Sequence, residues 1–179
     1  SLNYKKLSPS RVTINGIEVY RCKAGKLLYK ASALAYEWGY FHNSLREPIK
    51  EFIEEIRPDA LHVHDMLLAK AVMDVNDRYY RLPLTLDLHE NRPEIMQYYP
   101  HLQKFPAKHL VKIDLWKSAQ NELIRRADKV VMVTPEAIDV AVRDTQEPRS
   151  KFLAVANTIS PEIYWNYPID TKVVKRFKK

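Results

Sequence analysis

Four short stretches combine side chains that could do chemistry. His62-Val63-His64-Asp65 sets two imidazoles two residues apart with a carboxylate directly after them. Asp87-Leu88-His89-Glu90-Asn91 repeats the mixture, and Thr134-Pro135-Glu136 and Asn157-Thr158 add further polar groups after apolar runs. Side chains alternate along a strand, so in extended chain His62 and His64 share a face, as do Thr85, Asp87 and His89. Imidazoles and carboxylates so placed can bind ligands by hydrogen bonds, stabilise developing charge or hold a metal. His-x-His-Asp and Asp-x-His-Glu carry the ligand types of hydrolytic zinc or two-metal sites. His-x-His on one strand holds a metal in barrel hydrolases, but a typical barrel needs about 250 residues. This chain has 179, and no further ligand motif is evident. No metal is therefore assigned, and a metal-dependent hydrolase stays as an alternative only. G-x-S-x-G and H-E-x-x-H are absent. Cys22 is the only cysteine, which excludes an internal disulfide and a multi-cysteine zinc site; with no evident base nearby it reads as structural.

The elements that must position these residues follow from periodicity. Val12 to Arg21 alternates around Asn15-Gly16, a strong hairpin signal. A helix is expected over about 28–38. Ser44 to Arg57 carries Leu45, Ile49, Phe52, Ile53 and Ile56 on one face, with Pro48 in the expected first turn. Ala60 to His64 reads as a strand, 66–79 as a helix and Leu82 to His89 as a strand. Glu90 to Pro106 reads as a long loop, of a length that is often functional. Residues 107–127 read as one helix with Leu110, Ile113, Trp116, Leu123, Ile124 and Ala127 inward. Lys129 to Thr134 is a strand; Thr134 can cap the next helix, with Pro135 and Glu136 in its first turn. Phe152 to Ala156 is the last strand. Helices alternating with short Val/Leu/Ile-rich strands imply an α/β fold: a Rossmann-like, doubly wound, mostly parallel sheet with helices on both faces.

In such sheets ligands sit outside the carboxyl ends of the strands, where all four polar stretches fall. His64 and His89 stand at the exits and are the expected ligand contacts. His62 and Asp87 are expected deeper, as buried groups satisfying each other or nearby backbone. Asp65 and Glu136 have an alternative role in helix capping.

Composition narrows the partner classes. Hydrophobic residues make up 46% and charged residues 28%, so a packed core is affordable in area. Only three glycines occur, and neither G-x-G-x-x-G nor a Walker loop is present. The net charge of +7 is concentrated in part at the ends, from Lys5 to Arg11 and from Lys172 to Lys179. No nucleic-acid recognition signature accompanies it, so nucleic acid is not expected as a partner. Peripheral contact with an anionic membrane is the alternative to a merely solvating basic surface. No apolar run approaches the ~18 residues of a membrane span, and the expected location is cytoplasmic, with peripheral membrane association left open as the alternative.

Taken in order, the motifs resemble those of retaining glycosyltransferases with the GT-B fold, of the large family-4 type. Ile56 to Asp65, Ile-Arg-Pro-Asp-Ala-Leu-His-Val-His-Asp, resembles the family's "PDvvHvHd" segment. Leu84 to Glu90 looks like "vyDlHE", Arg126 to Thr134 like "aDkvivvt", and Lys151 to Thr158 like "kv.vvpN". Order and spacing agree over roughly 44–160.

The resemblance implies the N-terminal, acceptor-side domain of a two-domain enzyme that moves a sugar from a nucleotide-sugar donor to a glycan or lipid-linked acceptor with retention. By it, residues 1–160 form the Rossmann-like domain, apparently lacking the opening βα unit, and 161–179 form a basic linker toward a donor-binding domain. His89 matches the histidine that approaches the reacting centre. His64, Asp65, Glu90, Asn91, Thr134, Glu136 and Asn157 match cleft or acceptor positions. The family as a rule needs no metal, and no resident cofactor is implied, since the nucleotide sugar is a substrate held mainly by the other domain. The implied setting is polysaccharide biosynthesis, with the isolated chain inactive. A non-enzymatic Rossmann-like binding module is the competing reading.

Overall fold

The computed structural model describes residues 2–3, 11–100, 102–105, 107–158 and 165. The basic tail expected over 161–179 lies outside them, apart from Trp165. The chain opens with β1 (Leu2–Asn3), β2 (Arg11–Ile14), β3 (Ile17–Tyr20) and β4 (Cys22–Lys23). β1 pairs with β4 in parallel, and β2 with β3 as an antiparallel hairpin. Asn15 and Gly16 both take positive φ at its tip, as a two-residue primed turn demands. Next come α1 (Lys26–Ala31), a 3-10 turn (Ser32–Leu34) and α2 (Tyr40–Ile56).

The body of the fold is β5 (Leu61–His64), α3 (Met66–Tyr79), β6 (Leu84–Leu88), α4 (Arg92–Met96), α5 (Ala107–Leu110), α6 (Ile113–Arg126), β7 (Lys129–Met132), α7 (Pro135–Thr145) and β8 (Phe152–Ala154). The last four strands form one parallel sheet in the order β5-β6-β7-β8. This is the expected α/β, Rossmann-like arrangement of a parallel sheet flanked by helices. Each crossover steps the sheet one strand in the same direction, and with the right-handed sense that such crossovers take as a rule this places α3, α6 and α7 side by side. Contacts run from α2 to α3, α3 to α6 and α6 to α7. Alternation along the strands then separates the two sheet faces. Val63, Leu84, Leu86, Leu88, Val130 and Met132 are buried with Phe41, Met66, Trp116 and Leu123 in one core. The opposite face carries His62, His64, Thr85, Asp87 and Val131 in register, and continues to Leu153, 61% exposed.

Polar side chains fix where strands start. Buried Asn76 donates to the Leu82 carbonyl (2.8 Å) and accepts from the Leu82 N–H (2.9 Å), closing the turn from α3 to β6. Asp128 accepts from the Leu84 N–H (2.7 Å) while its own N–H donates to the Leu84 carbonyl (2.9 Å), aligning β7 on β6.

Several expectations need correction. α2 starts at Tyr40, not Ser44, because Phe41 and His42 are buried and extend the helix through packing. Pro48 therefore falls in the helix interior, where its ring leaves the Ser44 carbonyl without its usual donor. Phe52 and Ile56, expected inward, are exposed; Phe52 packs its ring edge-on to Tyr20 at 5.2 Å. The expected helix over 28–38 is short and passes into a 3-10 turn. The loop from Glu90 holds α4, with Pro93 and Glu94 in its first turn and Met96 buried. The single helix expected over 107–127 breaks after Leu110, which is exposed. The restart is a long-range cap: Glu37 Oε1 accepts from the Lys112 N–H at 2.8 Å and from Trp116 Nε1 at 3.1 Å.

Candidate functional site: a carboxylate under three imidazoles

The register of β5 on β6 sets His62 beside Thr85 and His64 beside Asp87. Two groups of polar side chains result. In the first, Asp87 Oδ2 lies 3.2 Å from His62 Nε2 and 3.0 Å from His64 Nδ1, and Asp87 Oδ1 lies 4.0 Å from His89 Nδ1. The His62 and His64 rings are 4.7 Å apart between centroids, and His64 and His89 6.1 Å. The Asp87 side chain is 16% exposed, against 49% for His62 and 66% for His64. His62 is thus not the buried residue the sequence suggested. The face on which it stands is open, so its ring reaches solvent while its nitrogen reaches Asp87. Among the described residues Asp87 has no lysine or arginine partner.

This arrangement has clear chemical consequences. An N–H donated by His64 Nδ1 to the carboxylate leaves Nε2 outward as an acceptor, with the ring orientation fixed. His89, one residue beyond β6, is too far from Asp87 to be held by a hydrogen bond and remains available to a ligand. His62, His64 and Asp87 each offer one ligand atom, all within 4.8 Å of one another, so they could hold a metal ion.

The second group centres on Asp65. Its backbone sits at φ +67°, ψ 144°, a conformation glycine adopts far more readily. Its N–H donates to the Asp87 carbonyl at 2.9 Å, tying it to the first group. Its Oδ1 accepts from the Leu67 N–H (3.2 Å) and from Arg92 Nε (2.9 Å). Arg92 Nη2 also bonds Asp65 Oδ2 and lies 2.8 Å from Glu90 Oε1. Burial works against the Arg92 charge, but the hydrogen bond to Asp65 and the two carboxylates more than offset it and raise its pKa. Arg92 thus clamps two of the residues expected to line the cleft. The sequence reading missed it, although Arg92-Pro93-Glu94 carries a helix-start signal that would have placed it. Below the clamp, Tyr36 donates its hydroxyl to the Met66 carbonyl at 2.6 Å.

The remaining residues fall around these groups. Asn157 donates to the His89 carbonyl at 3.5 Å, linking the end of β8 to that of β6. Asn91 occupies the cap position of α4 and is exposed. Thr134 caps α7 by accepting from the Ala137 N–H at 3.1 Å, and Glu136 lies exposed in that helix's first turn. Neither shares a hydrogen bond or ion pair with the two groups among the described residues.

A groove of about 800 Å³ runs along β5, lined by His62 and His64, by Ile49 and Phe52 of α2 and by Tyr20 of the hairpin. Another cleft, about 640 Å³, is walled by Arg46, Lys70, Asp74 and Arg126. Its charges pair internally. Asp74 is drawn up by burial, but hydrogen bonds from Arg46, Arg126 and Lys70 win and lower its pKa. That cleft reads as a brace between α2, α3 and α6.

Two comparisons complete the description. Residues 4–158 match the family model described as a glycosyl transferase 4-like domain, a span that includes the hairpin, the parallel sheet and both polar groups. No curated protein matches the chain.

Proposed function

This chain belongs to the glycosyl transferase 4-like family and is a glycosyltransferase module, and from that premise we propose that it is the acceptor-side domain of a retaining enzyme. The enzyme moves a sugar from a nucleotide-sugar donor to a glycan or lipid-linked acceptor, in polysaccharide biosynthesis on the cytoplasmic side of a membrane. The observation that carries this reading is the cluster of His64, His89 and Asp87 at the carboxyl ends of β5 and β6, the edge where α/β sheets take their ligands. His89 contributes hydrogen bonding and electrostatic stabilisation to the donor sugar and its leaving group. His64, Asp65, Glu90 and Asn91 face the acceptor, with Arg92 holding Asp65 and Glu90 in place. Thr134, Glu136 and Asn157 line the neighbouring strand ends. The nucleotide is held mainly by a second domain, and no resident cofactor or nucleic-acid partner is involved.

A lipid-linked acceptor fits the rim around this edge. α2 ends where β5 begins and α6 ends where β7 begins, so both helix starts stand at the carboxyl edge of the sheet. Trp38 and Tyr40 are exposed at the start of α2, and Phe105 is 84% exposed in the segment leading to α6. Exposed Lys104, Lys108 and Lys112 accompany them, and the Glu37–Lys112 hydrogen bond joins the two stretches. Aromatic rings among lysines suit an anionic bilayer surface. No described helix is long and apolar enough to cross one.

The test is the full-length enzyme carrying His89→Ala, assayed for nucleotide release with a panel of nucleotide sugars. A loss of at least about 100-fold in turnover is expected, the scale of removing one stabilising donor, with the far-ultraviolet circular dichroism unchanged. Near-native turnover would remove His89 from the mechanism. Turnover by residues 1–179 alone would overturn the two-domain reading.

A further inference from the structure

His62 has no part in the transfer reading, yet it shares the Asp87 carboxylate with His64. Buried charges are ordinarily paired with an opposite charge or bound to a metal. The Asp87 carboxylate is mostly buried, yet its partners among the described residues are imidazoles, with no lysine or arginine in reach. Two of those imidazoles converge on the same oxygen, at 3.2 and 3.0 Å. Bonds of about 2.0–2.2 Å to nitrogen and oxygen, in tetrahedral or octahedral geometry, separate neighbouring ligand atoms by about 3.0–3.4 Å. Both measured separations fall in that interval. The third, between the imidazole nitrogens, is no more than 4.8 Å, and an ion bound there would replace the hydrogen bonds that the two rings now make to Asp87. The strand register holds the three Cα positions fixed, so the site is preorganised by the sheet.

We propose that His62, His64 and Asp87 bind one divalent transition-metal ion on the open face of the sheet. Two imidazoles and one carboxylate favour zinc, cobalt or nickel over magnesium or calcium, whose preference is for oxygen. Three protein ligands leave at least one coordination position open to solvent. The ion supplies a positive charge that no described lysine or arginine gives Asp87. The proposal is independent of the transfer reaction, since it concerns binding by this chain without donor or acceptor.

The experiment titrates the untagged chain with Co²⁺, followed by visible absorption of the bound ion, and with Zn²⁺, followed by calorimetry. The expected result is saturable binding of one ion per chain that millimolar Mg²⁺ does not displace. His64→Gln, His62→Gln and Asp87→Asn are each expected to weaken it by at least about tenfold, the lower end of what even supporting residues contribute. His109→Ala, at an exposed histidine beside Phe105, is expected to leave it unchanged. His64→Gln replaces an exposed side chain, so circular dichroism should report an intact fold and the result remains readable if Asp87→Asn does not fold. Absence of one-to-one binding, or an affinity in the two glutamine variants equal to that of the native chain, overturns the proposal.

Discussion

Lowering the pH should destabilise this domain through a buried imidazole. His42 on α2 is 1% exposed, and among the described residues neither ring nitrogen has a well-formed hydrogen-bond partner, although the Leu67 and Ala35 backbones lie near enough to favour its charged form. Its ring packs against Tyr36 at 4.9 Å and Phe41 at 5.4 Å. Burial, helped by the Lys70 charge, lowers its pKa from 6.5 to about 4. In the unfolded chain the imidazole takes its proton near 6.5. Between these values the unfolded state binds more protons than the folded one, so stability is complete above about pH 6.5 and falls as pH drops toward 4. Going from about pH 7.5 to about pH 4.5 removes about 2.5 kcal/mol by this linkage. That is a large share of the 5–15 kcal/mol typical of a domain. The assay is urea unfolding by circular dichroism at several pH values in this window, on the native chain and on His42→Leu. The leucine variant should be the more stable at neutral pH, by about 1 kcal/mol, because it removes unpaired buried nitrogens, and its midpoint should change little down to about pH 4.5. A variant that loses stability with pH as steeply as the native chain would refute the assignment to His42.

Two further outcomes follow from the site and its rim. Asp65→Gly should be less destabilising than Asp65→Ala by about 1–2 kcal/mol in thermal unfolding, since both lose the cap and the Arg92 pair but only alanine meets the backbone cost of positive φ; equal losses would mean the backbone there is unstrained. Vesicles containing phosphatidylglycerol should co-sediment the chain and shift Trp38 fluorescence to the blue, whereas neutral vesicles should not; Phe105→Ser with Lys108→Glu should weaken the binding several-fold, and unchanged binding would remove the rim from the membrane contact.

What the sequence made legible was local. Asn15-Gly16 named its hairpin, Met66 to Tyr79 showed its period from end to end, and Thr134-Pro135-Glu136 marked a helix start. Each signal acts within a few residues. The departures arise where distant groups decide. Glu37 restarts a helix from 75 residues away, and no periodicity within 107–127 could show that. α2 begins early because Phe41 and His42 find a core. At the site, the sequence placed His64, His89 and Asp65 at the strand ends but set His62 in the interior, since alternation gives the shared face and not what covers it. Arg92 escaped because a polar, proline-bearing stretch hides a five-residue helix.

One edge of the sheet has a further consequence for the groove beside it. The N–H groups of Leu61 and Asp65 point into β6, so those of His62 and His64 point the other way, along the groove. Natural sheets shield such an edge with lysine, proline, a bulge or a covering segment; among the described residues no strand pairs with this one, and Tyr20 of the hairpin with Ile49 and Phe52 of α2 wall the groove beside it. Along that groove, outward backbone N–H groups and apolar side chains therefore stand side by side.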